Sequence, residues 1–290
     1  MHALEMKGLS RSFRKFKIGP LNLKVEQGSI IALVGANGSG KTTFFRLLMK
    51  VLKKDSGQGE IFGKDWSKNE DEWKKKVGYA GELLGGYHFL TIRKLAKLIS
   101  RWFPSWDHEQ FEQLSRRYDI DLDEKYEKCS KGTKKKIDFI FSLCHHPSLL
   151  LLDEPTAGVD IVSRRKMKED ILTFMEHEER CVILATHTID EIHQLCDEIK
   201  VLESGRIVHS FNKDDIYENW ARIWVSDLSD NLKNHPNVLK LETSPPQMVT
   251  NHRENIEVAL QNENLSIYQI HRLSLEEVLE YLIDYKQNTL

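Results

Sequence analysis

The stretch "GANGSGKT", Gly35 to Thr42, places glycines, a lysine and hydroxyls at the spacing G-x-x-x-x-G-K-[ST]. Each residue type has a use if the ligand is a polyphosphate. Gly35, Gly38 and Gly40 let the chain turn its N–H groups inward and bring backbone close to phosphate oxygens, with Asn37 and Ser39 between them. Lys41 supplies the positive charge that reaches the β and γ phosphates, and Thr42 a hydroxyl for Mg²⁺, with Thr43 completing the first turn. Chance would place such a match in a chain of this length on the order of 1% of the time, given average glycine near 7%.

A second stretch, "LLLLDEP" (Leu149 to Pro155), drives four leucines directly into two acids. A core strand that merely reaches the surface would tolerate any polar residue there. If the strand belongs to a parallel sheet, its C-terminal end is where ligands sit. Asp153 is then placed to hold the Mg²⁺ shared with Thr42, and Glu154 to act as general base on an attacking water.

The surrounding elements must make that geometry. "SIIALVG" is a short apolar run that ends in the phosphate loop, as a buried parallel strand does. "TTFFRLLMKVL" follows with helical spacing. "CVILAT" (Cys181 to Thr186) is a third buried strand, and "SRRKMKEDILTFMEHEE" is a helix between strands. Alternation of strand and helix predicts an α/β fold with a mainly parallel sheet. "IGPLNLKV" alternates apolar and polar residues and fits an N-terminal antiparallel β subdomain. Residues 85–145 read as an inserted helical subdomain, carrying "LTIRKLAKLISRWF" and "EQFEQLSRRYDI". The chain then divides into an ATPase-type domain over 1–217 and a small α/β appendage over 218–290. In the appendage "ARIWVS", "VLKLETS" and "LSIYQI" read as strands, "TSPPQ" as a turn, and "SLEEVLEYLIDY" as an amphipathic helix opened by a Ser274–Glu277 capping box.

Whole-chain properties narrow the partners. The 290 residues suffice to bury a large core. The net charge of −2 argues against nucleic acid, which favours a basic surface. Four scattered cysteines read as reduced thiols. No apolar window reaches the roughly 18 residues of a membrane span, so work at a membrane would need a second chain.

Together these pieces resemble the nucleotide-binding subunit of ABC transporters: a P-loop NTPase core with inserted helices. "CSKGT" (Cys129 to Thr133) stands where that family carries L-S-G-G-Q, with Ser130 and Gly132 agreeing, and it opens the helical stretch "KKKIDFIFSLC". The resemblance implies that Ser130 and Gly132 close on the γ-phosphate of ATP bound by an opposite subunit. "AGVD", ending at Asp160, resembles the D-loop that crosses the dimer seam, and His187 matches the switch histidine that contacts the γ-phosphate. Phe13 falls near the aromatic that stacks on adenine; Phe16 competes, and a core role for either stays open. Glu82 takes the place of the Q-loop glutamine, where a carboxylate can contact Mg²⁺ or water. The implied protein binds ATP and Mg²⁺, pairs with a second ATPase subunit, identical or paralogous, and drives a membrane permease on another chain through the surface around Glu82 to Leu90 and the helical insertion. It would be cytoplasmic, peripheral at the inner face of the cell membrane. The tail, with "HRLSLEEVLEYL", resembles extensions of exporter-type ATPases.

Other readings compete. "NKDD" (Asn212 to Asp215) fits the guanine-reading N-K-x-D of GTPases, but no D-x-x-G precedes it, so it reads as a surface helix start. A chromosome or DNA-repair ATPase, the main alternative, would carry long coiled coils where only 112 positions separate Lys41 from Asp153. A translation-type protein would carry two tandem units. His145 and His146 as a metal pair give way to two loop-exposed side chains, and Lys134, Lys135 and Lys136 read as a solvated helix start.

Overall fold

The computed structural model describes residues 2–82 and 84–284. Leu83, inside the expected Glu82–Leu90 surface, and Tyr285, at the end of the expected last helix, lie outside the described residues. The chain forms two compact units, Met1–Ser210 and Phe211–Leu290.

The first unit opens with β1 (His2–Ser12) and β2 (Lys17–Glu26), an antiparallel pair in which Met6 faces Leu23. In β2 buried and exposed residues alternate from Leu21 to Glu26, which is the pattern that "IGPLNLKV" predicts. β3 (Ile30–Val34) leads into α1 (Lys41–Leu48). β4 (Ser56–Ile61) and β5 (Lys64–Asp65) complete a sheet of order β2-β1-β4-β5, the expected antiparallel subdomain. α2 (Glu70–Lys74) precedes β6 (Val77–Ala80). The inserted helices are α3 (Ile92–Ile99), α4 (His108–Arg117) and α5 (Lys131–Leu143).

β7 (Leu149–Asp153), α6 (Ile161–Phe174), β8 (Cys181–Ala185), α7 (Ile189–Leu195), β9 (Glu198–Glu203) and β10 (Arg206–Asn212) finish this unit's main sheet. Its order is β10-β9-β3-β8-β7-β6, with parallel pairing from β9 through β6. Every residue of β3, β7 and β8 is buried, because both faces of a parallel sheet are covered. Leu152 pairs in register with Leu184, so β7 and β8 deliver Asp153 and Thr186 to one edge.

Two local expectations are corrected here. His145 is not loop-exposed: it is 3% exposed, its Nε2 is 3.1 Å from the Val77 carbonyl, and its ring lies 4.1 Å from that of Phe103. His146 alone faces outward, 3.2 Å from Asp107. Nor are the three lysines freely solvated. Lys134 lies over the Tyr126 ring, Lys135 donates to the Asp153 carbonyl at 2.7 Å, and Lys136 approaches Asp160 at 3.9 Å. Each ammonium finds an acceptor or a ring face.

The second unit starts with α8 (Lys213–Asn219), capped by the Asn212 side chain, so "NKDD" is a helix start. β11 (Ala221–Val225), α9 (Asp230–Lys233), β12 (Val238–Thr243), β13 (Pro246–Thr250), α10 (Arg253–Asn262) and β14 (Ile267–Arg272) follow. The strand order β12-β13-β11-β14, antiparallel throughout, makes this a split βαβ arrangement of the ferredoxin-like kind. Ile223, Val225, Leu232, Met248, Ile256 and Leu260 form its core. α11 (Leu275–Asp284) closes it, with Ser274 and Glu277 exchanging capping hydrogen bonds at 2.8 and 3.2 Å. Among the described residues no helix is long and apolar enough to cross a membrane.

Candidate functional site

The phosphate loop joins β3 to α1. Gly40, the residue before the helix, has φ 114°, a left-handed conformation that favours glycine, and no side chain caps the helix start. The orphan N–H groups of the first turn therefore remain available to an anion. Gly35 is held so close to β9 that a Cβ there would lie 2.1 Å from the Leu202 carbonyl oxygen. The turn after β9 supports the loop, since Gly205 N–H donates to the Ser39 carbonyl at 2.9 Å. Asn37 and Gly38 are exposed at the loop's crest; Thr42 is exposed and Thr43 half-buried at the helix start. Ser39 is buried, and its hydroxyl has no hydrogen-bond partner among the described residues. An unsatisfied buried hydroxyl inside a loop of inward N–H groups suits a ligand that brings acceptor oxygens.

Lys41 is 6% exposed. Its Nζ donates to the carbonyls of Gly35 at 2.7 Å and Ala36 at 3.3 Å, and lies 3.7 Å from Glu154 Oε1. The other carboxylate oxygen of Glu154 is 3.3 Å from His187 Nδ1. Glu154 thus stands between the phosphate-loop lysine and the histidine at the end of β8. Its own backbone is held at φ 49° by a hydrogen bond from its N–H to the Ala185 carbonyl at 2.9 Å. A non-glycine residue in that region is held there by its surroundings against its own preference.

Asp153 is buried at the end of β7. Burial, the largest influence, raises its carboxyl above its ordinary value; the hydroxyl of Thr42 hydrogen-bonds to it and opposes that rise. A carboxylate and a hydroxyl already in contact are the two protein oxygens that Mg²⁺ ordinarily takes, with phosphate and water filling its remaining positions. The residues present fit that ion. Among the described residues no group of three or more His, Cys, Asp or Glu makes a self-sufficient metal cage.

The other residues singled out in the sequence fall nearby in the chain's own architecture. Ser130 caps α5, its Oγ accepting from Thr133 N–H at 3.1 Å. A Cβ on Gly132 would lie 2.5 Å from the Gly158 carbonyl oxygen, so the "CSKGT" loop packs against the "AGVD" loop. Asp160 caps α6 through Ser163 N–H at 2.8 Å. Phe16 lies over Gly40, where a Cβ would be 3.0 Å from its ring, whereas Phe13 is 40% exposed with its ring 6.2 Å from that of Phe16. Glu82 is exposed beyond β6, and its charge is felt at Tyr126 and Asp138.

Two contributors escaped the sequence reading. Glu191 on α7 is 1% exposed and accepts from the hydroxyls of both Thr156 and Thr186, the latter at 2.6 Å. It clamps the segments that follow Glu154 and precede His187. Tyr79 packs edge-on against Phe45, and burial first, then the Asp153 charge, keeps its phenol protonated. The only sequence signals were an acid in the helix after "ATH" and an aromatic in "VGYA".

The ABC transporter family profile matches residues 18–157. The bacitracin transport ATP-binding protein BcrA of Bacillus licheniformis is 31% identical over 217 residues, spanning 73% of this chain and 70% of that protein. The ABC transporter ATP-binding protein YtrB of Bacillus subtilis is 28% identical over 224 residues, 77% of this chain and 76% of that one. Among solved structures, the ATP binding subunit of an ABC transporter superposes with a TM-score of 0.66 at 24% identity, covering 74% of this chain and 91% of its own. A dimeric ATP-binding cassette bound to ADP and Pi superposes with a TM-score of 0.63 at 18% identity, covering 72% and 98%. A phosphate loop wrapped around its lysine, an acid pair at the end of a buried strand and relatives of this kind lead to one assignment: the chain belongs to the ATP-binding proteins of ABC transporters.

Proposed function

We propose that this protein is the Mg²⁺-dependent ATPase subunit of an ABC exporter, and that two such subunits enclose ATP between the phosphate loop of one and the Ser130 loop of the other. The observation that carries this reading is the single carboxylate of Glu154, touched from one side by Lys41 and from the other by His187. Arriving phosphates offer Lys41 stronger acceptors than the Gly35 and Ala36 carbonyls. Glu154, released from Lys41, takes a proton from the water that attacks the γ-phosphate, while His187 orients both. Asp153 and Thr42 would hold Mg²⁺, which neutralises charge on the β and γ oxygens. Ser130 and Gly132 open α5 next to the loop that ends at Asp160, the place at which the family resemblance puts a partner's γ-phosphate.

Export rests on the resemblance of the tail, and the split βαβ unit serves as an accessory domain rather than as part of the nucleotide site. A separate permease would convert closure and reopening of the pair into transport, with the ATPase at the inner face of the membrane. The test is Glu154→Gln, which keeps size and hydrogen bonding but removes the base. Turnover should fall about 10²–10⁴-fold with ATP binding intact, and mass measurement with Mg-ATP should show a trapped dimer. Hydrolysis at the wild-type rate would sink the assignment of the base.

A further inference from the structure

Helix α5 carries a residue that the site does not use. Asp138 lies within the buried run Ile137 to Leu143 and is 5% exposed. Burying a carboxyl among apolar side chains costs free energy unless it is partnered. Its hydrogen-bond partner is the Tyr126 hydroxyl, which donates to Oδ1 at 3.2 Å from a ring that is itself 7% exposed. Tyr126 begins the short turn Tyr126–Lys128 that runs into Cys129 and Ser130, so the bond ties the entrance of the Ser130 loop to the helix which that loop opens.

The same turn is bound on its other side. Tyr126 N–H donates to the Leu90 carbonyl at 3.0 Å, and Glu127 N–H to the His88 carbonyl at 2.9 Å. Leu90 and His88 belong to the stretch that follows Glu82. The charged groups around Asp138 are Lys134 and Lys135 on its own helix and Glu82 beyond β6, with the Tyr79 phenol also within its electrostatic reach. Burial, the largest influence, pushes the carboxyl up to about 7, opposed by the Tyr126 hydrogen bond.

We propose that Asp138 and Tyr126 are positioning residues for hydrolysis: their hydrogen bond sets the place of Ser130, and passes to it any displacement of the 84–90 stretch. The inference rests on the ATP-sandwich reading, because Ser130 matters to turnover only if it closes on a phosphate. The pair belongs neither to the phosphate loop nor to the Asp153–Thr42 contact. Its loss should therefore spare ATP binding to the phosphate loop and lower the catalytic step.

The experiment uses the full chain with Tyr126→Phe, Asp138→Ala, the double variant and Asp138→Asn, whose side-chain oxygen still accepts from Tyr126. For each, kcat and KM for ATP, the Kd for ATP and the melting temperature are measured. Tyr126→Phe and Asp138→Ala should each lower kcat about tenfold while Kd stays within about twofold, and the double variant should be no worse than the poorer single, as for two residues acting as one unit. Asp138→Asn should recover most of the lost kcat. If Asp138→Ala does not fold, Tyr126→Phe, which removes one oxygen atom, carries the test. Wild-type kcat in Tyr126→Phe, a Kd that worsens in step with kcat, or no recovery in Asp138→Asn would overturn the proposal. Absence of a Mg-ATP-dependent dimer in Glu154→Gln would instead remove the reading on which it rests.

Discussion

The phosphate loop and the Ser130 loop are both glycine-bearing turns that open a helix, yet they are finished to different degrees. Around the first, several side chains find counterparts in the same chain, Lys41 on two carbonyls and Glu154 and Thr42 on Asp153, while the Ser39 hydroxyl and the first-turn N–H groups are left for a ligand. The second meets only its own scaffold, with Ser130 capping its helix and Gly132 against the Gly158 carbonyl. On the proposed reading one turn binds nucleotide and the other is presented to a partner's nucleotide. The contrast teaches that loss of nucleotide affinity and loss of turnover should map to different loops.

Lys41→Ala breaks the self-contained half. Removing the cation enclosed by the phosphate loop should weaken ATP binding at least about 100-fold, in line with the roughly 1.5–3 kcal/mol of a hydrogen bond to a charged group, multiplied over more than one oxygen, with the fold unchanged by circular dichroism. Near wild-type affinity by titration calorimetry would dissolve the comparison. Gly132→Val strikes the presented half. Its branched carbon would collide with the Gly158 backbone, and the displaced loop should lower kcat about tenfold and stability by about 1–3 kcal/mol; an equal loss of ATP affinity would show that the two loops are not separable.

The smallest effect sharpens the comparison at the far end of α5. His145 Nε2 meets the Val77 carbonyl, and burial, the largest influence, pulls the imidazole down to about 4. The folded protein then binds a proton less readily than the unfolded chain, whose histidine titrates near 6.5. Stability from this group is complete above that value and is lost as pH falls from about 6.5 through about 4, by about 3 kcal/mol at most. His145→Gln should flatten the melting temperature against pH across that window and leave turnover at neutral pH within about twofold. An unchanged slope would place the acid sensitivity elsewhere.

What could be read in the sequence was what is written locally. The phosphate loop needs glycines at fixed spacing before a lysine, and β3, β7 and β8 need consecutive apolar residues, so both announce themselves. β4, "SGQGEI", has neither; it is a strand because β1 pairs with it, Met6 facing Gly59. β6 is only four residues long, and β13 begins at Pro246 inside "TSPPQ", whose two prolines predict a turn; without β13 the βαββαβ order of the second unit cannot be recognised. His145 is buried by Phe103 and Val77, residues far away in sequence, so its neighbour His146 gave no hint. Glu191 shows the same limit, since its two threonine partners come from two other segments.

Glu154 sits with a left-handed backbone that costs a side-chain-bearing residue about 1 kcal/mol or more. Chain preference at this position therefore points to glycine, and function points to the one carboxylate between Lys41 and His187. Glu154→Gly should melt no lower than the wild type, up to about 1 kcal/mol more stable by denaturant titration, and should lose turnover as Glu154→Gln does, about 10²–10⁴-fold. A library of variants ranked by thermal tolerance would promote that substitution, so any campaign to harden this protein must hold residue 154 fixed from the outset.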